Sequence, residues 1–319
     1  MWKRFFAPEP LPLGLAWEED GLRIVEIGSR RQGYRVKALY FPFPEALVET
    51  GCEITHRMMV EFLKKIVAEN RWHKRTVVTA LPPDQVMIRN LKFPPMPRED
   101  LHQAVAWEVR QLLNGELSAY TYDYMVTDEQ PPSGESGEVH VMIAAMEREK
   151  VMAYYHLFCQ AGFQLQAIDV IPLALKRALL GDIQGSGGEM PVVLLNLGNR
   201  FSQLAVIDQG QLTLARSLPC VLEFGQDRDL AVRKQSCLPS KLVQEIRKTM
   251  DFFQAEHRRP VTGIIASGAA LSPLILQKLK LDLGIQVVPG LPGNGLPLDR
   301  YPEPSYAVAM GLALKGVRD

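Results

Sequence analysis

Val192-Val193-Leu194-Leu195-Asn196-Leu197-Gly198-Asn199-Arg200-Phe201-Ser202-Gln203-Leu204-Ala205-Val206-Ile207 is the stretch that decides how this chain reads. An apolar run, a Gly-Asn-Arg turn and a second apolar run describe a β-hairpin with backbone N–H groups at its mouth. Its shape is that of a phosphate-binding hairpin, but the position that needs a carboxylate carries Asn196. An Asp there would hold hydrated magnesium and help place an attacking water. Asn has the same shape without the charge or the basicity. The hairpin predicts a phosphate-handling fold that has lost its chemistry.

Outward from the hairpin, residues 211–217 add a third strand, and a helix at 241–255 puts Leu242, Ile246, Met250 and Phe253 on one face. A strand at 261–266, a glycine turn, a helix ending at Gly284, a strand at 285–289 and a final helix at 306–315 follow. That last helix carries the small residues Ala307, Ala309, Gly311 and Ala313. The first half repeats the order, with strands at 13–17, 22–27 and 34–40, a helix at 56–70 and a strand at 76–81. This order, present twice, is that of the α/β, duplicated ribonuclease H-like (actin-like) two-lobe fold. The expected first lobe is 1–81 with 165–185, and the second is 190–319, joined through a Gly- and Ser-rich linker with little to bury. Residues 82–164 do not repeat and predict an inserted small α/β subdomain. It holds strands at 86–93, 122–126 and 139–145, a helix from Arg98 with Glu99 and Asp100 at its positive end, and a helix at 147–161 stopped by Gly162.

Composition narrows the function classes. The 319 residues are 47% apolar, enough for a large core and more than one domain. Lys+Arg and Asp+Glu balance at 36 each, so no net field draws the chain to nucleic acid or anionic lipid, and a protein partner is expected. Cys52, Cys159, Cys220 and Cys237 are scattered, and the six histidines share no motif with them, so no metal site is expected. No apolar run reaches the roughly 20 residues of a membrane span, and residues 1–6 lack the apolar region of a signal peptide. A reducing cytoplasm is the expected compartment.

Within the insertion, Leu91-Lys92-Phe93-Pro94-Pro95-Met96-Pro97-Arg98-Glu99-Asp100-Leu101, then Ala104-Val105-Ala106-Trp107-Glu108, Tyr122-Asp123-Tyr124 and residues 138–145 resemble the type IV pilus assembly protein PilM family. The likeness continues through 161–169, 245–253 and 307–314, where it is shared with the wider actin-like superfamily that includes FtsA. The resemblance implies a cytoplasmic actin-like protein at the inner face of the membrane. It implies binding of the N-terminal peptide of PilN, a bitopic protein that supplies the membrane anchor, in a groove beside the inserted subdomain. Other pilus platform proteins are implied as partners. The family is described as binding ATP.

Against that pattern the nucleotide positions have changed. The first phosphate loop should read Gly-x-Asp-x-Gly, but Gly14 is followed by Ala16 at the Asp and Glu18 at the second glycine. Backbone amides cannot close on a phosphate where a carboxylate side chain stands. Asn196, Gly198 and Ser202 mark the second loop, and Gly268-Ala269 replaces the Gly-Gly of the adenine side. Residues 218–240 run almost directly into the next helix, so the second lobe has a reduced subdomain. These residues form a vestigial nucleotide site, with no catalytic residue, no metal ligand and no cofactor expected. An ATP-binding switch or ATPase is the competing reading, and a type II secretion adaptor a third. The expected peptide groove lies between the first lobe and the insertion, along 86–93 and the helix at 98–113, with Arg89, Trp107 and Arg110 on its wall. Trp107 and the alternating Tyr120, Tyr122 and Tyr124 read equally as core or as partner surface.

Overall fold

The computed structural model describes residues 10–30, 33–44, 56–83, 85–113, 117–128, 137–181, 190–219 and 240–315. The expectations for residues 1–6, for all but the ends of the linker, for Cys52, Cys220 and Cys237, and for most of the shortened 218–240 segment lie outside the described residues.

The first half builds β1 (Leu13–Trp17), β2 (Gly21–Ser29), β3 (Tyr34–Pro42), α1 (His56–Asn70) and β4 (Thr76–Ala80). It continues with β5 (Met87–Phe93), α2 (Arg98–Leu112), β6 (Tyr120–Asp128), β7 (Val139–Glu147), α3 (Arg148–Ala161), β8 (Gln164–Asp169) and α4 (Ile171–Leu179). The second half builds β9 (Val192–Asn196), β10 (Phe201–Asp208), β11 (Gln211–Pro219), α5 (Ser240–His257), β12 (Gly263–Ser267), α6 (Pro273–Leu283), β13 (Gln286–Pro289) and α7 (Ala307–Ala313). The two large sheets have the same order, β3-β2-β1-β4-β8 and β11-β10-β9-β12-β13. In each, a three-strand antiparallel meander continues into parallel strands, as a duplicated unit requires.

Side-chain alternation splits each sheet into two faces. Leu13 and Leu15 of β1 point outward into a core with Val60, Leu63, Ile66 and Val67 of α1 and Leu157 and Phe158 of α3. Ala16 points inward, with Leu194 and Ala205 of the second sheet, into a central core shared by both lobes. The helices of that layer are exchanged. α4 of the first half lies on β9, β10 and β11, while α7, the last helix among the described residues, lies on β1, β2 and β4. The small residues of α7 follow from this approach: a Cβ on Gly311 would stand 1.8 Å from the Ala174 carbonyl oxygen, and one on Gly14 1.9 Å from that of Ala309.

Some boundaries differ from the sequence reading for identifiable reasons. The strand expected at 22–27 begins already at Gly21, opposite Pro42, where a Cβ would lie 2.4 Å from the Phe41 carbonyl oxygen. Tyr306 closes a 3-10 turn before α7. α3, expected inside 82–164, packs on α1 in the first-lobe core and also touches β6 and β7, so it joins the inserted layer to the first lobe. That layer is the antiparallel sheet β5-β7-β6, with α2 burying Leu101, Val105 and Val109 against Phe93, Val141 and Ile143. Tyr122 and Tyr124 pack on this core, whereas Trp107 is 57% exposed on the far side of α2. No helix among the described residues is long and apolar enough to cross a membrane.

Candidate functional site

Two turns meet at the mouth between the lobes, the β1–β2 turn and the β9–β10 turn. The first is closed by the Glu18 N–H donating to the Gly21 carbonyl at 2.9 Å. The second is tight enough that a Cβ on Gly198 would lie 2.3 Å from the Phe201 carbonyl oxygen. Glu18 turns inward to Arg23, with 3.6 Å between the charged atoms. The guanidinium of Arg23 sits 4.8 Å from the Tyr40 ring centre and 5.8 Å from that of Tyr306, just before α7. Burial pushes the Glu18 carboxyl up to about 7; Arg23 opposes this, and the neighbouring Asp20 and Glu19 carboxylates add to it.

This shift has a measurable sign. Below about pH 4.5 the carboxyl holds its proton in both folded and unfolded chains. Between there and pH 7 the folded state retains a proton that the unfolded state gives up. The stabilisation is therefore complete at low pH and lost as pH rises through 7. At about 1.4 kcal/mol per pKa unit, and allowing for partial solvent access, the loss is about 2 kcal/mol. Glu18→Gln is expected to lack it. In urea unfolding the variant should exceed the parent at pH 8 and lose that advantage by pH 5, and a parallel pH dependence of the two proteins would show that Glu18 is not the titrating group.

The residues expected to form the vestigial nucleotide site make the following contacts within the protein. Ala16 is 3% exposed, so the missing Asp position is apolar core. Asn196 Oδ1 accepts from Ser267 Oγ at 3.2 Å. Gly268, at φ +106°, lies so close to the backbone of Leu197 that a Cβ would stand 2.3 Å from its oxygen. The Leu197 N–H donates to Ser267 and the Ala270 N–H to Leu197, which leaves Ala269 half-buried in a stapled loop. Gly14 lies against α7, where a Cβ would meet Ala309 and Ala313. Ser202, fully buried, falls on the strand face of Leu204 and Val206, opposite the mouth. Thus Ala16, Glu18 and Asn196 share the interlobe side, Gly14, Gly198 and Gly268 serve backbone geometry, and Ser202 points away.

Sequence reasoning weighed Glu18 alone and missed its neighbours. Glu19 crosses to the other lobe, its Oε1 accepting the Arg200 backbone N–H at 2.6 Å. The signal was present in Trp17-Glu18-Glu19-Asp20-Gly21, three consecutive acids where a phosphate loop would be. Arg23 and Tyr306 carried no local signal, since only the fold brings them together.

Beside the insertion, two cavities of about 680 and 530 Å³ lie between β5 and the second lobe. Both are lined by Ile88, Arg89, Ala215 and Arg216, and Tyr120 and the Leu113 end of α2 reach the larger one. Asn90 Nδ2 donates to the Thr213 carbonyl at 2.7 Å, and Lys92 reaches Glu256 at 3.0 Å, stitching the inserted layer to β11 and α5. These cavities face the second lobe, because β5 is an edge strand turned toward the edge strand β11, whereas the expected groove lay between the first lobe and the insertion. Arg89 lines both, while Trp107 and Arg110 lie on the exposed side of α2 and line neither.

The duplicated sheets, the exchanged inner helices and the facing turns define an actin-like two-lobed protein. A model of the type IV pilus assembly protein PilM family matches residues 14–221, and the chain belongs to that family. No curated protein sequence matches it. Among solved structures it is similar to one described as a PilM-PilN type IV pilus biogenesis complex, with a TM-score of 0.79 and 24% identity over 98% of this chain and 100% of that one. It is also similar to the ethanolamine utilization protein EutJ from Carboxydothermus hydrogenoformans, with a TM-score of 0.52 and 14% identity over 96% of this chain and 90% of that one.

Proposed function

We propose that this chain is a non-catalytic, actin-like scaffold of the type IV pilus inner-membrane platform. In this reading it binds the cytoplasmic N-terminal peptide of a bitopic PilN-like protein and is held at the inner face of the membrane through that partner. The observation that carries the reading is the mouth between the lobes, where Glu18, Glu19 and Asp20 stand on one turn and Ala16 and Asn196 lie behind them. Glu19 and Asp20 bring negative charge to the place a triphosphate would need, Glu18 fills the turn from within, and nothing at Ala16 or Asn196 supplies charge to magnesium. The site thus works as internal packing that fixes the lobes, leaving the edge strand β5, with Arg89 at its exposed margin, as the surface for an extended peptide. The similarity to a complex that contains PilN supports the choice of partner. Trp107 and Arg110, one helical turn apart on α2, extend the candidate surface.

A thermal-shift series tests the whole reading. Millimolar ATP with magnesium should leave the melting temperature unchanged, whereas a ligand at a hundredfold excess over its Kd adds about 2.7 kcal/mol. The N-terminal peptide of a PilN-like protein should raise it, and Arg89→Ala should reduce that rise without altering the melting curve of the free protein. An upward shift with ATP would sink the vestigial-site reading. Equal peptide response in Arg89→Ala would move the partner to another face.

A further inference from the structure

The Glu19 contact joins the lobes through chemistry that a nucleotide would otherwise supply. Its carboxylate accepts the Arg200 N–H at 2.6 Å, and the Phe201 N–H is also directed to it. A carboxylate on two adjacent backbone amides makes charge-assisted bonds of the same kind as a phosphoryl oxygen seated in a hairpin turn. The short distance places this contact among the strong ones. Each partner is held in place by its own lobe. On the first side, Glu18 N–H to Gly21 O closes the turn, Arg23 gathers Glu18 at 3.6 Å and Asp20 at 4.0 Å, and Tyr40 OH donates to the Asp20 carbonyl. With its neighbours drawn back onto their own lobe, Glu19 is the member of the acidic triplet left to cross. On the second side, the Gly198 turn and the Leu197–Ser267 bond fix the amides that receive it.

We propose that Glu19 is an interlobe latch: a protein carboxylate occupies the backbone amides of the β9–β10 turn, so the closed arrangement of the two lobes is built into the chain and needs no nucleotide. The latch explains why an actin-like fold can dispense with its ligand and still present one fixed surface. It rests on the reading of the mouth as self-filled, but it makes a separate claim about which group does the closing. An exposed carboxylate also makes the latch releasable, because a competing anion or a substitution at one position frees both amides at once.

Hydrogen exchange of the ligand-free protein, read at single amides, tests this. In the wild type, the Arg200 and Phe201 amides should be protected despite their place in a turn. In Glu19→Ala both should exchange at least tenfold faster, while the amides of β9 and β12 keep their rates. Glu19→Gln, which retains an acceptor without the charge, should fall between. If the two turn amides exchange freely in the wild type, or exchange equally in wild type and Glu19→Ala, the latch is overturned. The wild-type measurement alone can overturn it, whatever the variants do. Because nucleotide is absent throughout, a later ATP-induced melting shift would defeat the scaffold reading and leave the latch standing.

Discussion

Gly311→Ala is expected to cost more than 3 kcal/mol in urea unfolding, a large share of the roughly 5–15 kcal/mol that holds a typical domain folded. The added methyl carbon would stand 1.8 Å from the Ala174 carbonyl oxygen and 2.4 Å from its carbonyl carbon. No rotamer relieves a clash between a Cβ and a backbone, so α4 and α7 must separate, and with them the central core that both lobes share. Gly14→Ala attacks the opposite side of the same helix, where the nearest atoms are Ala309 O at 1.9 Å and Ala313 N at 2.3 Å. Gly284→Ala is the control: it also changes a glycine, at a helix end with φ +70°, but nothing lies within 4 Å of the new carbon. It should cost about 1 kcal/mol, the backbone penalty alone. Equal losses at Gly311 and Gly284 would mean that backbone freedom, not the close approach of the helices, sets the requirement for glycine at 311.

Asp169→Ala is the second large effect, expected at about 3–5 kcal/mol. Asp169 ends β8 and is bonded to Arg177 on α4, with Lys315 at 3.6 Å from the same carboxylate. Arg177 is 8% exposed, and its Nε donates to the Gly311 carbonyl at 3.0 Å. Removing the carboxylate leaves a buried guanidinium whose charge is no longer balanced, and that penalty exceeds the worth of the pair itself. Arg177→Met combined with Asp169→Leu should therefore cost less than Asp169→Ala alone. Chemical denaturation of the three variants decides it, and a double variant worse than Asp169→Ala would show that the pair stabilises beyond what apolar packing replaces.

How much of this was legible in the sequence depended on the range of the forces involved. The strands and helices of both halves could be placed because their signal is local: the stripe that includes Leu63, Ile66 and Val67 on α1, or the apolar run of β9. The duplicated order then followed from counting. Two kinds of information were not local. Glycines at 14, 268 and 311 look the same whether a ligand or a backbone approaches them, and here the approaching atoms come from Ala309, Leu197 and Ala174. The destination of a side chain is equally invisible: Glu18 and Glu19 are adjacent, yet one folds back to Arg23 and the other bonds across the mouth to Arg200. The cavities beside β5 were not legible for the same reason, because an edge strand announces that it is unpaired but not which neighbour it will face.

The exchange of inner helices has a consequence for how the molecule is made. The first sheet receives its covering helix from residues 307–313, the last described helix of the chain, against strands that begin at Leu13. During synthesis, which proceeds at about 5–20 residues per second from the N-terminus, the inner face of the first lobe waits uncovered until residues 307–313 have emerged. α4 meanwhile lies on strands not yet translated. Neither half can therefore mature on the ribosome ahead of the other, and a nascent chain stalled before Ala307 would expose Ala16, Val25, Ile27 and Val78 to whatever chaperone holds the half-made protein.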